Sequence, residues 1–318
     1  MSQNSDRPHP AGPAPSASAA SASESSATAS SGPGSSTPGA VPDLPGGLTS
    51  NDPASPIRYT AEDAAAAADV LRRGEEGQAE LLVSLTDEQI AALDGYERRQ
   101  FTATPWLEEQ GEHRRLTAAV GLRALIAAGR VSALADPGGG EPRWRADPEI
   151  AGCLVLRRTA TLFLTAERTV QTPQGPEVQR LHYCVHDDGV LEEEVTALGI
   201  HRFTPLRHEQ AIARLVVLID PSGVAAGEGQ PQRVRSSELA TSAIGQQLAA
   251  TRALTVLTVV RTADGSVQQA SSYATADAVL TMEALDPGSE DPQLEFRAVG
   301  PADLRALATV LVSGGGAG

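Results

Sequence analysis

The chain has 318 residues, a formal net charge of −15 and a pI near 4.8, a balance that disfavours general nucleic-acid binding, which normally needs a basic face. Hydrophobic residues make up 41%, enough for a globular core once a polar N-terminal stretch is set aside, and no apolar run approaches the roughly 20 residues of a membrane span. Cys153 and Cys184 are the only cysteines, too few for a disulfide scaffold. The N-terminus also lacks the basic start and apolar stretch of a signal peptide, so the cytoplasm is the expected compartment. Every basic residue is Arg and none is Lys, a usage that points to a GC-rich, actinobacterial genome.

Residues 1–56 are Ser, Ala, Pro and Gly with almost no large apolar side chain, and the composition predicts a disordered tail. The folded region is expected over 57–313, with a helical part over 57–150, a first half-repeat over 151–221 and a second over 233–313. Residues 314–318 are expected to form a flexible end. Thr60 with Asp63, and Thr86 with Gln89, have the spacing of capping boxes and predict two helix starts. A third helix is expected from Glu112 to Ala128, with Ala118, Leu122, Leu125 and Ile126 on one stripe. Alternation then predicts strands over Leu154–Ala166, Leu181–His186, Val190–Thr196 and Ile200–Phe203. A loop is expected at Gln171–Glu177 and a turn at Asp187-Asp188-Gly189. Thr204-Pro205 is expected to open a helix with Ile212, Leu215, Val216 and Ile219 on its apolar face.

The same order then returns: a helix over Ser237–Arg252, strands over Leu254–Arg261, Ser266–Tyr273, Val279–Leu285 and Leu294–Val299, and a helix after Gly300-Pro301 carrying Leu304, Leu307, Ala308 and Leu311. HRFTP (His201–Pro205) matches RAVGP (Arg297–Pro301), and the helices that follow carry the same stripe, which pairs Leu215 with Leu307 once the first helix is taken as longer by one turn. A period of about 90 residues is too long for a solenoid. The expected fold is therefore α+β: one antiparallel sheet with flanking helices, internally duplicated about a pseudo-twofold axis.

No catalytic motif or cofactor signature is present, and the expectation is a protein that is not an enzyme and holds no cofactor or metal. His182, Cys184 and His186 share one face of a strand, but the outer two lie about 13 Å apart along it. At most a pair of them, completed by His201 or Asp187, would reach one ion. Gly138-Gly-Gly140, between Pro137 and Pro142, lacks the Lys-Ser/Thr of a phosphate loop. Glu192, Glu193 and Glu194 alternate faces, which excludes a facing carboxylate pair and suggests a solvated or partner-facing edge. A winged-helix alternative rests on Arg114, Arg115 and Arg123, then Arg130, a Gly-rich turn and Arg143 to Arg145. A metal-binding protein or an unrecognised enzyme is the further alternative.

LTDEQIAALDG (Leu85–Gly95), Pro105, ERRQ…EHRRLTAAVGLRALIAAGRV (Glu97–Val131), DPEIAGCLVLRR (Asp147–Arg158) and PADLRALATVL (Pro301–Leu311) run in an order that resembles the EspG family, the cytosolic chaperones of actinobacterial type VII (ESX) secretion. The resemblance spans Leu85 to Val312. It implies a central antiparallel sheet in quasi-twofold arrangement. The implied function is binding a helical secretion substrate, typically a PE/PPE-type pair. The positions expected to meet such a protein partner are Gln171, Thr172, Pro173, Gln174 and Gly175, with Asp187, Asp188 and Gly189. Neither nucleic-acid binding nor membrane insertion is expected. The sequence leaves the oligomeric state open.

Overall fold

The computed structural model describes residues 53–134, 143–227 and 229–313. The tail expected over 1–56, apart from 53–56, lies outside the described residues, as do the Gly138–Gly140 turn and the 314–318 end. In chain order the elements are α1 (Ala61–Glu76), β1 (Val83–Thr86), α2 (Asp87–Asp94), α3 (Pro105–Glu108), α4 (Arg114–Ala127), β2 (Val131–Leu134), β3 (Arg143–Ala146), α5 (Pro148–Thr159), β4 (Leu162–Thr172), β5 (Gly175–His186), β6 (Gly189–Val195), β7 (Ile200–Leu206), α6 (His208–Ile219), β8 (Gln232–Arg235), α7 (Ala243–Leu248), β9 (Ala253–Arg261), β10 (Val267–Ala274), β11 (Val279–Ala284), β12 (Gln293–Val299) and α8 (Pro301–Ser313).

Both capping boxes form. The Thr60 and Thr86 hydroxyls accept from the backbone N–H of Asp63 and Gln89, whose side chains return the bond to the cap residues. Each thereby satisfies helix-end donors that would otherwise lack a partner.

Ten strands form one antiparallel sheet in the order β1-β7-β6-β5-β4-β9-β10-β11-β12-β8. The order is the same read from either edge: a lone strand, then a four-strand meander running inward to β4 or β9. Each meander ends in a helix, α6 or α8. The duplication expected from sequence is thus built into the topology.

Its register differs from the sequence match. β7 and β12 each have seven residues and lead after one residue into their helix. Pro205 therefore falls on Ala298, and Leu215 falls on Ala308 instead of Leu307. Both Leu215 and Ala308 are fully buried, whereas Leu307 is half-buried. The two helices have 12 and 13 residues, so the expected extra turn is absent. Carried inward through the paired strands, the equivalence sets Ala166 on Leu257, and those two residues pair with each other at the centre of the sheet. The pseudo-twofold passes there.

One face of the sheet carries Leu164, Tyr183, Val190, Leu257 and Val279, covered by α6 and α8. On the other face, Phe163, Cys184, Leu191 and Phe203 of the first half lie under α1, α2, α4 and α5. In the second half that face closes with a smaller cluster around Leu280, Leu294, Phe296 and Ile244 of α7. α1 and α5 cross closely at Gly152, where a Cβ would meet the Ala66 carbonyl oxygen at 2.5 Å.

Four expected elements are corrected. Pro148 at the first turn starts a helix through CLVLRRT, so the strand expected from Leu154 begins only at Leu162; an apolar run of that length fits either period. Ile126 lies off the α4 stripe and is 38% exposed. Pro205 lies within β7. The Phe203 carbonyl bonds Leu82 on the β1 side, and by alternation Pro205 turns its missing N–H to that same side, beyond the end of β1, where no ladder bond is lost. Finally, Ser237–Arg252 forms a 3-10 turn over Ser236–Thr241 and the short α7.

Candidate functional site

The β4–β5 loop expected at Gln171–Glu177 is a tight hairpin. β4 runs through Gln171 and Thr172, Thr172 pairs with Gly175, and only Pro173 and Gln174 turn the chain. Asp187 and Asp188 turn β5 into β6, and His186 pairs with Gly189. Asp187 and Asp188 are exposed, and Gly189 is buried. The two groups are not adjoining. They sit at opposite ends of the 12-residue β5, about 36 Å apart at about 3.3 Å per residue.

The three glutamates alternate faces as expected, but the solvated edge does not follow: Glu192 is 1% exposed and Glu193 0%. On the α6 face, Arg214 donates twice to Glu192, from Nε at 2.8 Å and from the second terminal nitrogen at 2.6 Å. On the opposite face Glu193 is the centre of a buried network. Its Oε2 accepts from Arg157 Nε at 2.8 Å and from the Thr102 hydroxyl at 3.0 Å. Its Oε1 lies 2.6 Å from His201 Nδ1, and His201 Nε2 lies 2.6 Å from Asp87 Oδ1.

Both imidazole nitrogens therefore face carboxylate oxygens, which only accept, so both must donate and His201 is the imidazolium. Burial works against that charge, yet the bonds to Asp87 and Glu193 outweigh it and raise the His201 pKa. Burial likewise opposes ionisation of Glu193, and Arg157 and His201 together hold it well below the usual carboxylate range. Arg157 also reaches Gln100 Oε1 at 3.1 Å and stands 3.6 Å from Asp94. Arg158 donates to the Asp94 carboxylate and to its backbone carbonyl.

Local geometry positions this network. Thr86 caps α2 and puts Asp87 in its first turn. Asp87 Oδ2 accepts from the Leu107 N–H of α3 at 2.9 Å. Gly199 precedes β7 with φ +67°, and a Cβ there would lie 2.7 Å from Asp87 Oδ2. The left-handed backbone and the close approach both call for glycine.

Arg157, Arg158 and Phe163 also line a cleft of about 460 Å³ with Ile57, Tyr59, Arg99, Gln100, Phe101 and Thr102. Phe101 stacks on Phe163, with ring centroids 4.0 Å apart.

His182, Cys184 and His186 share the face that carries this network but do not converge. His182 Nδ1 meets the Thr165 hydroxyl at 3.1 Å, and its Nε2 has no partner; burial pushes its pKa down to about 4. His186 Nε2 meets the Leu156 carbonyl. His201, suggested as a ligand, is committed to two carboxylates. Burial pushes both thiols up. Among the described residues no group of three or more His, Cys, Asp or Glu side chains is placed to hold a metal ion.

The wing-like hairpin of the DNA-binding alternative exists as β2–β3. Arg130, however, is paired with Asp147 and Glu149, and Arg145 with Glu62, so these cations are already engaged within the chain.

Sequence reasoning missed Asp87, Asp94, Thr102 and Arg157 as a cluster. The available signals were Arg157 within the apolar run CLVLRR, and an acidic triplet inside a strand whose other positions are apolar.

No helix among the described residues is long and apolar enough to cross a membrane. No protein-family model matches the chain, and no curated protein matches it. Among solved structures it is similar to the Mycobacterium tuberculosis type VII secretion system chaperone EspG5, solved in complex with a PE25-PPE41 dimer. The identity is 9% and the TM-score 0.43, over 73% of this chain and 94% of that chain. This is a distant likeness of fold.

Proposed function

We propose that this chain is a cytosolic, non-catalytic protein-binding module that acts as a chaperone of the type VII secretion kind. It binds a helical substrate, such as a PE/PPE-type pair, covers an apolar surface on it and keeps it soluble. The observation that carries this proposal is the β4–β5 arm. β6 pairs with β5 only from Arg180 onward, so Gly175–Gln179 have β4 on one side and no strand on the other. An open strand edge offers unpaired backbone donors and acceptors to an incoming chain. Val178, 42% exposed, adds an apolar contact beside it. The tip residues Gln171–Gly175 continue this surface.

α4 supplies a second apolar surface. Ala118, Leu122 and Leu125 are buried, while Leu116 and Val120 on the outer side are 51% and 56% exposed. A helix apolar on two sides suits one that a partner covers. The sequence resemblance over Leu85–Val312 supplies the identity of the partner class.

Co-expression with the helical substrate pairs encoded in the same genome, followed by size-exclusion chromatography with light scattering, tests the proposal. One pair should form a stable complex, and Val178→Asp should weaken it by about tenfold or more. Failure of every pair, or a complex indifferent to changes along the arm, rejects it.

A further inference from the structure

The pseudo-twofold supplies an internal comparison. Following the strand pairings, His201 corresponds to Leu294, Glu193 to Met282 and His182 to Ser271. At the position where the first half buries an imidazolium and a carboxylate, the second half closes with an apolar cluster. The sheet therefore does not need charge there, and a buried ion pair often contributes no more stability than well-packed apolar residues in its place.

The charge lies beside a cleft. Arg157 is 4% exposed on its side chain, lines that cleft and has one terminal nitrogen, Nη2, without a hydrogen-bond partner. Arg158 lines it too, and so does Arg99, whose guanidinium has no polar partner among the described residues. Against these three arginines stand two carboxylates, Glu193 and Asp94, which leaves room for one more negative charge. The walls are apolar and aromatic. Phe101 is stacked on Phe163 yet still 48% exposed, and Tyr59 is 38% exposed. A volume of about 460 Å³ falls within the range of small-molecule sites.

We propose that this cleft binds a small aromatic carboxylate, its ring against Phe101 and Tyr59 and its carboxylate on the guanidinium group of Arg99. Planar guanidinium groups bind carboxylates through paired, charge-assisted hydrogen bonds, and offset ring stacking adds to them. The Asp87–His201–Glu193 chain fixes Arg157 at the floor of the site. The cleft is distinct from the β4–β5 arm, so ligand binding here is tested separately from partner binding.

Isothermal titration of the full chain with sodium benzoate is the direct experiment. Saturable one-site binding is expected, with benzamide (the ring without the charge) and acetate (the charge without the ring) weaker by about tenfold or more. Replacing Arg157 would strip the buried Glu193 of its guanidinium and destabilise the network, so the diagnostic variant is the exposed Arg99→Gln. It should keep the parent melting temperature and weaken benzoate by about tenfold. No saturable benzoate binding, equal binding of benzamide or acetate, or benzoate binding unchanged in Arg99→Gln would each overturn the proposal.

Discussion

Replacing Glu193 by Gln removes one charge from the centre of the buried network while changing almost no volume. The carboxylate accepts from Arg157, His201 and Thr102, at 2.8, 2.6 and 3.0 Å. An amide keeps one acceptor oxygen. Turned one way, its NH₂ group faces the Arg157 guanidinium, donor against donor; turned the other way, it faces His201 Nδ1, which can accept only if His201 gives up its charge. Arg157 then lies buried with only the more distant Asp94 to offset it. Breaking a buried pair on one side costs about 3–5 kcal/mol, a large share of the roughly 5–15 kcal/mol that holds a domain folded. In a urea titration at pH 7 the midpoint should fall by about 1–2 M, taking an m-value near 2–3 kcal/mol per molar.

The pH dependence follows from the sign of the shift. Glu193 is held below its unfolded value, so its stabilisation is complete above about pH 4.3 and is lost as the pH falls from there toward the folded pKa. The parent and the variant should therefore converge in acid. A loss below about 1 kcal/mol at pH 7, or a gap that persists unchanged to pH 2, would show that the network is not ionic in the way its geometry implies.

The two histidines should bracket the stability optimum. His201 has a raised pKa, so its contribution is complete below about pH 6.5 and declines as the pH rises through the folded value. His182 is depressed to about 4, so stability should fall by up to about 3 kcal/mol as the pH drops from about 6.5 to 4. His182→Ser, which installs the residue of the second half, should shrink that acid limb in a pH series of urea titrations. Gly199→Ala should cost about 1–3 kcal/mol through its positive φ and the push on Asp87, and the His201 imidazole NMR signals should move with it; an unchanged spectrum would contradict the contact. Leu215→Ala should cost about 2–5 kcal/mol in one cooperative transition. Two transitions, only one of them moved, would separate the halves that the continuous sheet joins.

The sequence by itself determined what depends on near neighbours. Both capping boxes were legible because donor and acceptor stand three residues apart. The Asp187–Gly189 turn was legible from its residue types, and the shared face of His182, Cys184 and His186 follows from the period of any strand. The duplication was legible as a repeated order of elements, although matching prolines misplaced its register, because Pro205 lies in a strand and Pro301 at a helix start. Tertiary structure decided the rest. The apolar run at Leu154 suited helix or strand until packing against α1 through Gly152 selected the helix. The acidic triplet gave its alternation but not its burial, since Arg157 and Arg214, which make burial tolerable, come from distant elements. Asp87 and His201 meet across 114 positions of sequence. No local pattern encodes that contact, because the pairing of β1 with β7 creates it.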